Sequence, residues 1–174
     1  TSIVKFDKNS KFSGHAHQNG EEFFVLEGIF SDEYGDYPKG TYVRNPHGSC
    51  HSPFSRDGCK IFVKLRQFQK DDSARIVKSV IESWEFYNEE VSYLKLHEFR
   101  NEIVYLAKFK PRSEINLPFR AKGGEEILIL SGTICDEVNN FAAITWIRDP
   151  KRCFVRAYAG DNEVCIFVKT GHLF

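Results

Sequence analysis

The sequence lacks net charge, long hydrophobic runs and a signal segment. Its 24 basic residues balance 24 acidic residues, so it has no excess of positive charge to attract nucleic acid or an anionic membrane. No apolar stretch approaches the roughly 20 residues of a membrane-spanning helix. The N-terminal residues TSIVKFDKNSKF have no apolar signal core. These absences predict a protein with no membrane segment and no direct nucleic-acid partner.

The chain also has no methionine, and its five cysteines are an odd number with no CxxC pair. This pattern excludes a regular disulfide framework and a zinc site built from paired cysteines. It favours reduced thiols and a cytoplasmic location. Because no methionine stands at the start, we expect further residues to precede Thr1 in the natural protein.

The sequence contains an internal repeat with a shift of 104 to 105 residues. Three blocks recur in the same order with nearly constant spacing, which indicates two copies of one small domain. The pairs are GEEFFVLEGIFSDE (20–33) with GEEILILSGTICDE (124–137), TYVRNP (41–46) with TWIRDP (145–150), and IFVK (61–64) with IFVK (166–169).

Each copy consists of short apolar runs separated by Gly, Pro, Asp and Asn, which predicts an all-β antiparallel sandwich or barrel. We assign 1–68 to the first domain, 69–92 to a connector and 93–174 to the second domain. Within the connector, a short helix is expected over Ser73–Glu82 because polar capping residues precede it. Trp84–Arg100 is expected to add leading strands to the second copy.

The two copies differ at three histidines, and such differences mark candidate site residues. Glu21 of the first copy keeps its carboxylate in the second, as Glu125. The histidines are replaced by apolar residues. These pairs are His15 with Phe119, His17 with Ala121, and His51 with Val155.

The spacing of these residues favours a metal site. Residues two apart in a strand share a face, so His15 and His17 should project together into the interior. A short QNG turn would bring Glu21 beside them on the next strand, and His51 would arrive from another strand. Three imidazoles and a carboxylate suit zinc, iron, manganese, nickel or copper and leave one or two positions for water or a ligand. We expect one metal per chain, in the first copy.

Both segments resemble the motifs of the cupin superfamily. GHAHQNGEEFFVLEG (14–28) matches G-x5-H-x-H-x3-4-E-x6-G from its first histidine onward, and GTYVRNPHGSCH (40–51) matches G-x5-P-x-G-x2-H. The opening glycine of the first motif falls at Asn9, and the asparagine that ends the second falls at Ser55. The resemblance implies two tandem jelly-roll barrels of the cupin (RmlC-like) type, with a divalent metal held by His15, His17, Glu21 and His51.

The first copy is most similar to cupins of the ChrR type, in which a cupin follows a zinc-binding anti-sigma domain and helps to sense oxidative stress. This resemblance implies a regulatory module with one divalent transition metal, for which zinc is expected and iron, manganese or nickel are the alternatives. Its partner would be a sigma factor or another regulatory protein, with an oxidant or small molecule acting at the metal. The alternative is a metal-dependent dioxygenase acting on a small organic substrate, and no catalytic residue can be assigned. A homodimer is also expected as an alternative to pairing of the two barrels within one chain.

Several other polar residues have simpler interpretations. Glu22 and Glu126 alternate to the opposite face from the site, so we expect them to contact solvent. Asp32 recurs as Asp136 and is interpreted as a turn feature. His47 is the rival to His51 as the fourth ligand. Glu125 is expected to be a hydrogen-bonded remnant, and His97 and His172 are expected to be ordinary surface or strand residues.

Overall fold

The structure is a computed structural model that describes residues 1–81, 83–151 and 156–173. The described residues form 19 β-strands and no helix, so the all-β prediction is confirmed. None of the described residues forms a helix that is long and apolar enough to cross a membrane. The chain divides into two compact units, Thr1–Glu82 and Ser83–Phe174, and each is described by itself.

The described part of the first unit contains ten strands, and five of them form its main antiparallel sheet. Short strands pair outside that sheet. The strands are β1 Ser2–Phe6, β2 Ser10–Lys11, β3 His15–Ala16, β4 Glu21–Asp32, β5 Gly35–Pro38, β6 Thr41–Asn45, β7 Cys50–His51, β8 Phe54–Ser55, β9 Cys59–Leu65 and β10 Ile76–Ser79. The main sheet has the order β1-β9-β4-β6-β10, while β2 pairs with β8, β3 with β7, and the second half of β4 with β5 and β8.

Strand β4 is central to the first unit because both faces of its first six residues are buried. Phe23 and Val25 point into an apolar core that also contains Val43, Ile61 and Val63. β-Branched and aromatic side chains suit such a pleated, packed surface. The core lies on the same face as Glu21, so the alternation along β4 places a carboxylate at the end of an apolar stripe.

The opposite face of β4 carries a buried ionic cluster, and the expectation that Glu22 contacts solvent is wrong. Glu22 is 1% exposed. Its carboxylate accepts hydrogen bonds from the Arg44 guanidinium at 2.7 Å and from the Tyr42 hydroxyl at 2.8 Å. Arg44 also pairs with Asp72 and lies over the ring of Phe68, 3.8 Å from its centroid. Alternation had correctly assigned Glu22 to the second face, but this face is covered.

The helix predicted over Ser73–Glu82 is wrong for the residues described there, and Glu82 itself lies outside the described residues. Strand β10 occupies this segment and pairs antiparallel with β6, with Ile76 opposite Arg44. The β-branched residues of the segment favour a strand, and the unpaired edge of β6 supplies the hydrogen-bond partners that a short isolated helix would lack.

The described part of the second unit contains nine strands. They are β11 Glu85–Phe86, β12 Val91–Phe99, β13 Glu102–Phe109, β14 Glu125–Ser131, β15 Thr133–Cys135, β16 Asn140–Ala142, β17 Trp146–Asp149, β18 Tyr158–Ala159 and β19 Val164–Thr170. The pair β14 and β19 has the same register as the corresponding pair β4 and β9 of the first unit. The main sheet has the order β11-β12-β13-β19-β14-β17, and a smaller sheet has the order β16-β15-β18. As expected, β11 and β12 add strands to the leading edge of this copy.

The repeat extends to strand pairing and to a backbone irregularity. Glu21 pairs with Leu65 of β9, and its equivalent Glu125 pairs with Thr170 of β19. A β-bulge follows Val25 in β4, and another follows the matching residue of β14. Because a bulge redirects the side chains that come after it, its recurrence at the same place means that both copies keep one backbone frame.

Glu126 and His172 of the second unit also differ from expectation. Glu126 is 5% exposed, and its carboxylate is 3.0 Å from His172 Nε2. His172 therefore has a charged neighbour that the sequence pattern did not indicate. His97 is a strand residue, as expected, but it is buried within β12.

Candidate metal centre

The two-residue strands β3 and β7 bring the histidines of the two motifs together. His15 and His51 are directly opposite each other in this antiparallel pair. Two backbone hydrogen bonds extend the connection, from His17 N–H to the Ser49 carbonyl at 2.9 Å and from Gly48 N–H to the His17 carbonyl at 3.0 Å. This short ladder brings together two segments that are more than 30 residues apart in the sequence.

The turn between the second histidine and β4 has a sharply bent backbone. Asn19 and Gly20 have φ angles of 56° and 75°, a left-handed conformation that Gly and Asn tolerate best. This turn directs the chain into β4 at its first residue, Glu21. The sequence QNG thus positions the carboxylate beside the imidazoles, as the spacing predicted.

The three predicted histidine ligands lie together, with nitrogen atoms within 4.8 Å of one another, and Glu21 lies beside two of them. The ring centroids of the three imidazoles are 4.8 to 5.1 Å apart. Glu21 Oε1 lies 3.6 Å from His17 Nε2 and 3.7 Å from His51 Nε2. His17, Glu21 and His51 are buried, whereas His15 is exposed, so the prediction that both histidines of the first motif are interior holds only for His17.

Two nitrogens of this group fit a bound cation. His17 Nε2 and His51 Nε2 are buried and have no hydrogen-bond partner in the described part of the chain. Their distances to Glu21 Oε1 are too long for hydrogen bonds. Two ligands on a zinc-like ion, each about 2.0–2.2 Å from it, are roughly 3–4 Å apart. Buried polar atoms normally have partners, so the residues present suit a metal.

Hydrogen bonds at Nδ1 of His15 and His51 determine which nitrogen of each ring carries the proton. His15 Nδ1 is 2.9 Å from the Ser13 carbonyl oxygen, and His51 Nδ1 is 3.1 Å from Asp32 Oδ2. A carbonyl and a carboxylate only accept, so each Nδ1 carries the proton and donates it. Each Nε2 is then an unprotonated donor atom for a metal, an arrangement that metal-binding histidines commonly share.

The electrostatics of the group disfavour charge on the side chains when no cation is bound. Burial, followed by the neighbouring imidazoles of His51 and His15, lowers the pKa of His17 to about 4. Burial also raises the pKa of Glu21, although the interactions with His51 and Asn45 oppose this rise. The His17 imidazole stays neutral and is ready to act as a ligand, and a divalent cation would supply the charge that favours an ionised Glu21.

Asp32 is a functional candidate that the sequence comparison missed. Besides His51, its carboxylate accepts hydrogen bonds from Tyr34 N–H at 2.8 Å and from the Tyr37 hydroxyl at 3.2 Å. Burial opposes ionisation, but these donors and His51 outweigh it and lower the pKa of Asp32. Burial and the nearby Asp32 raise the pKa of Tyr37 to about 12, so Tyr37 remains a hydroxyl donor.

Tyr37 and Asn45 were also missed at the sequence level, although both differ between the two copies. Tyr37 corresponds to Phe141 and Asn45 to Asp149 under the shift of 104. The first copy alone thus has a hydroxyl that reaches Asp32 and an amide whose nitrogen is 3.3 Å from Glu21 Oε1.

The other predicted positions are distributed as follows. His47 lies outside the group, where its Nδ1 accepts a hydrogen bond from Asn19 N–H at 2.9 Å. In the second unit, Phe119 is partly buried against the apolar core. Val155, the counterpart of His51, lies outside the described residues.

Both departures from the cupin motifs have local explanations. Asn9, in place of a glycine, has a φ of 60°, which Asn adopts more readily than other side chains. Ser55, in place of an asparagine, donates its hydroxyl to the Ile29 carbonyl at 2.7 Å. Neither change affects a predicted ligand.

A cavity of about 160 Å³ opens beside the imidazoles of His17 and His51. Side chains from three segments line the rest of it, among them Tyr34, Ser49 and Arg75. A small molecule in this cavity would lie beside the side chains of His17 and His51.

Known structures share this fold at low sequence identity. A proposed dioxygenase from Nostoc punctiforme matches with a TM-score of 0.78 and 16% identity, over 98% of this chain and 68% of that chain. A pirin from Escherichia coli in complex with nickel(II) matches with a TM-score of 0.72 and 11% identity, over 98% and 81%. Oxalate decarboxylase from Bacillus subtilis, studied for its Mn(II) centres, matches with a TM-score of 0.62 and 12% identity, over 99% and 68%. No curated protein matches significantly in sequence.

A sequence profile decides the family. The profile of the ChrR cupin-like domain matches residues 1–69 and 74–174, which is nearly the whole chain and includes both copies. Together with the cupin-like folds above, this match confirms the tandem jelly-roll prediction. The chain belongs to the ChrR cupin-like domain family.

Proposed function

We propose that the first unit binds one divalent transition metal through His15, His17, Glu21 and His51. The observation that carries the proposal is the pair of buried Nε2 atoms, on His17 and His51, that face Glu21 Oε1 at 3.6 and 3.7 Å. Leaving a buried polar atom unsatisfied costs about 1–3 kcal/mol, and coordination would remove this cost for both atoms.

Zinc is the proposed metal, with iron, manganese and nickel as alternatives. Imidazole suits zinc, iron and nickel, and carboxylate suits manganese. Four protein ligands leave room for water or a small ligand in a five- or six-coordinate site. The nickel-bound pirin and the manganese-containing oxalate decarboxylase, which share the fold, support a divalent metal. The second copy has Phe119 and Ala121 in place of two histidines, so we propose one metal per chain.

Metal analysis of protein purified without added metal tests the assignment. The wild type should contain one equivalent per chain, and the His51→Ala variant should lose it. His47→Ala is the matched control, because His47 lies in the same turn but outside the group, and this variant should keep its metal. Full metal content in the His51→Ala variant would contradict the assignment, and two equivalents in the wild type would show a further site.

We further propose that the metal-binding unit serves a sensory or regulatory role in the cytoplasm. A small molecule or oxidant would act at the metal, and the partner would be a sigma factor or another regulatory protein. Membership of the ChrR family supports this role, and exposed Cys50 beside His51 offers a thiol at the same opening. Binding of a purified sigma factor should differ between the metal-loaded and metal-free protein. Equal affinity in both forms would count against this role.

A dioxygenase is the second candidate, because the cavity would let a small organic molecule approach two of the proposed ligands, His17 and His51. The fold shared with the proposed dioxygenase of Nostoc punctiforme is compatible with it. Iron-loaded protein should then consume oxygen when a diketone-like compound is added. Stoichiometric zinc in the purified protein, with no oxygen uptake after iron loading, would reject this candidate.

A further inference from the structure

The cavity beside the metal-binding group is small. Its volume is about 160 Å³. Sites for drug-sized ligands are larger, at roughly 300–1,000 Å³. The part of a ligand that lies inside this cavity, beside the imidazoles of His17 and His51, is therefore small.

Arg75 gives this cavity its one cationic side chain among the described residues that line it. The guanidinium lies over the Tyr34 ring, 4.7 Å from the centroid, and Nη2 is 3.4 Å from the Tyr37 hydroxyl. Arginine has five N–H donors in a planar fork, and only one of them is used in the hydrogen bond to Tyr37. Arg75 can therefore donate to an incoming acceptor without losing its position.

Other polar groups around the cavity already have protein partners. The Ser49 hydroxyl donates to the Pro46 carbonyl at 2.7 Å, and the Asn45 amide nitrogen is 3.3 Å from Glu21 Oε1. Recognition of a ligand is thus left to Arg75 on one side and the metal position on the other. Both favour an anion, and a planar carboxylate matches the arginine fork.

Resting on the metal site proposed above, we propose that this cavity binds a small monocarboxylate between the metal position and Arg75. Arg75 is then the residue that selects an anion over a neutral molecule of the same shape. Its position depends on Tyr37, whose hydroxyl donates to Asp32, the acceptor for His51. One hydrogen-bonded chain therefore holds both the carboxylate-binding residue and a proposed metal ligand.

Cobalt-loaded protein and two probes test the proposal. Acetate should change the cobalt absorption spectrum in a saturable way, whereas acetamide, its neutral counterpart of the same size, should not at equal concentration. Arg75→Gln should weaken acetate binding at least about tenfold, since it removes a charge-assisted pair, and should keep its cobalt content. Arg56→Gln is the matched control, because Arg56 also lies near an aromatic ring, that of Phe54, but does not line this cavity.

The outcomes separate this proposal from the metal site on which it rests. One cobalt per chain with no response to acetate, or an equal response to acetamide, would overturn the carboxylate site and leave the metal site standing. Unchanged acetate affinity in Arg75→Gln would overturn the role of Arg75. Wild-type protein that binds no cobalt, zinc or other divalent transition metal would overturn both.

Discussion

The carboxylate of Asp32 should control metal affinity although it is not one of the proposed ligands. One of its oxygens accepts from His51 Nδ1, and the other accepts from Tyr34 N–H and the Tyr37 hydroxyl. Asp32→Asn keeps the size of the side chain but replaces one oxygen with an NH₂ donor. Whichever way the amide is oriented, a donor then faces another donor, either His51 or the tyrosine pair.

The expected size of the effect follows from the role of this hydrogen bond. An outer carboxylate fixes the orientation of a ligating histidine and raises its basicity, and its loss typically weakens metal binding about 10- to 100-fold. That corresponds to about 1.4–2.7 kcal/mol of binding free energy. Competition with a chromophoric zinc chelator at pH 7 measures it directly.

The second copy provides the control for this experiment. Asp136 corresponds to Asp32 and accepts hydrogen bonds from the backbone N–H groups of Val138 and Asn139, at 2.8 and 2.6 Å. Asp136→Asn should therefore leave zinc affinity unchanged. A folded Asp32→Asn variant that binds zinc within about twofold of the wild type, well below the expected range, would refute the reasoning. An equal loss in both variants would also refute it, because the effect would then not depend on His51.

Two further predictions concern stability. Because the pKa of His17 is about 4 in the folded protein against 6.5 ordinarily, the unfolded chain binds the extra proton between these values. The metal-free protein should thus lose about 1–3 kcal/mol of unfolding free energy as the pH falls from 7 to 4, after allowance for screening. Urea titrations should show less pH dependence in His17→Gln, and an unchanged slope would contradict the assignment. Glu22→Gln breaks a buried ion pair and should cost about 3–5 kcal/mol, whereas Glu27→Gln, in an exposed pair, should cost less than about 1 kcal/mol. Similar losses in the two variants would contradict the importance of burial.

The fold and the proximity of the candidate ligands were predictable because strand alternation, the internal repeat and the two cupin-like motifs all point to the same residues. Strand alternation assigned Glu21 to the same face as Phe23 and Val25, as the structure has it. The shift between copies identified His15, His17 and His51 as departures from a shared frame. The comparison was informative because the register at the start of β4 recurs in β14.

The residues that were missed show which structural features these sequence patterns do not determine. Alternation predicts which face a side chain occupies, but not whether another element covers that face, and so buried Glu22 was expected in solvent. Asp32 was dismissed because Asp136 repeats it, yet the same carboxylate accepts from a histidine in one copy and from backbone in the other. Arg75 lies beyond the repeated blocks, so no comparison between the copies could identify it.

Comparison with the second unit bears on why the first unit has buried histidines. Phe119 occupies the sequence position of His15, and its ring lies 4.9 and 5.2 Å from the rings of Tyr93 and Tyr105. Apolar side chains can therefore pack on the same backbone frame, and their burial stabilises the folded state. The first unit instead has two buried imidazole nitrogens at about 1–3 kcal/mol each. Since the frame does not require them, the proposed metal would be the physical gain that offsets this cost.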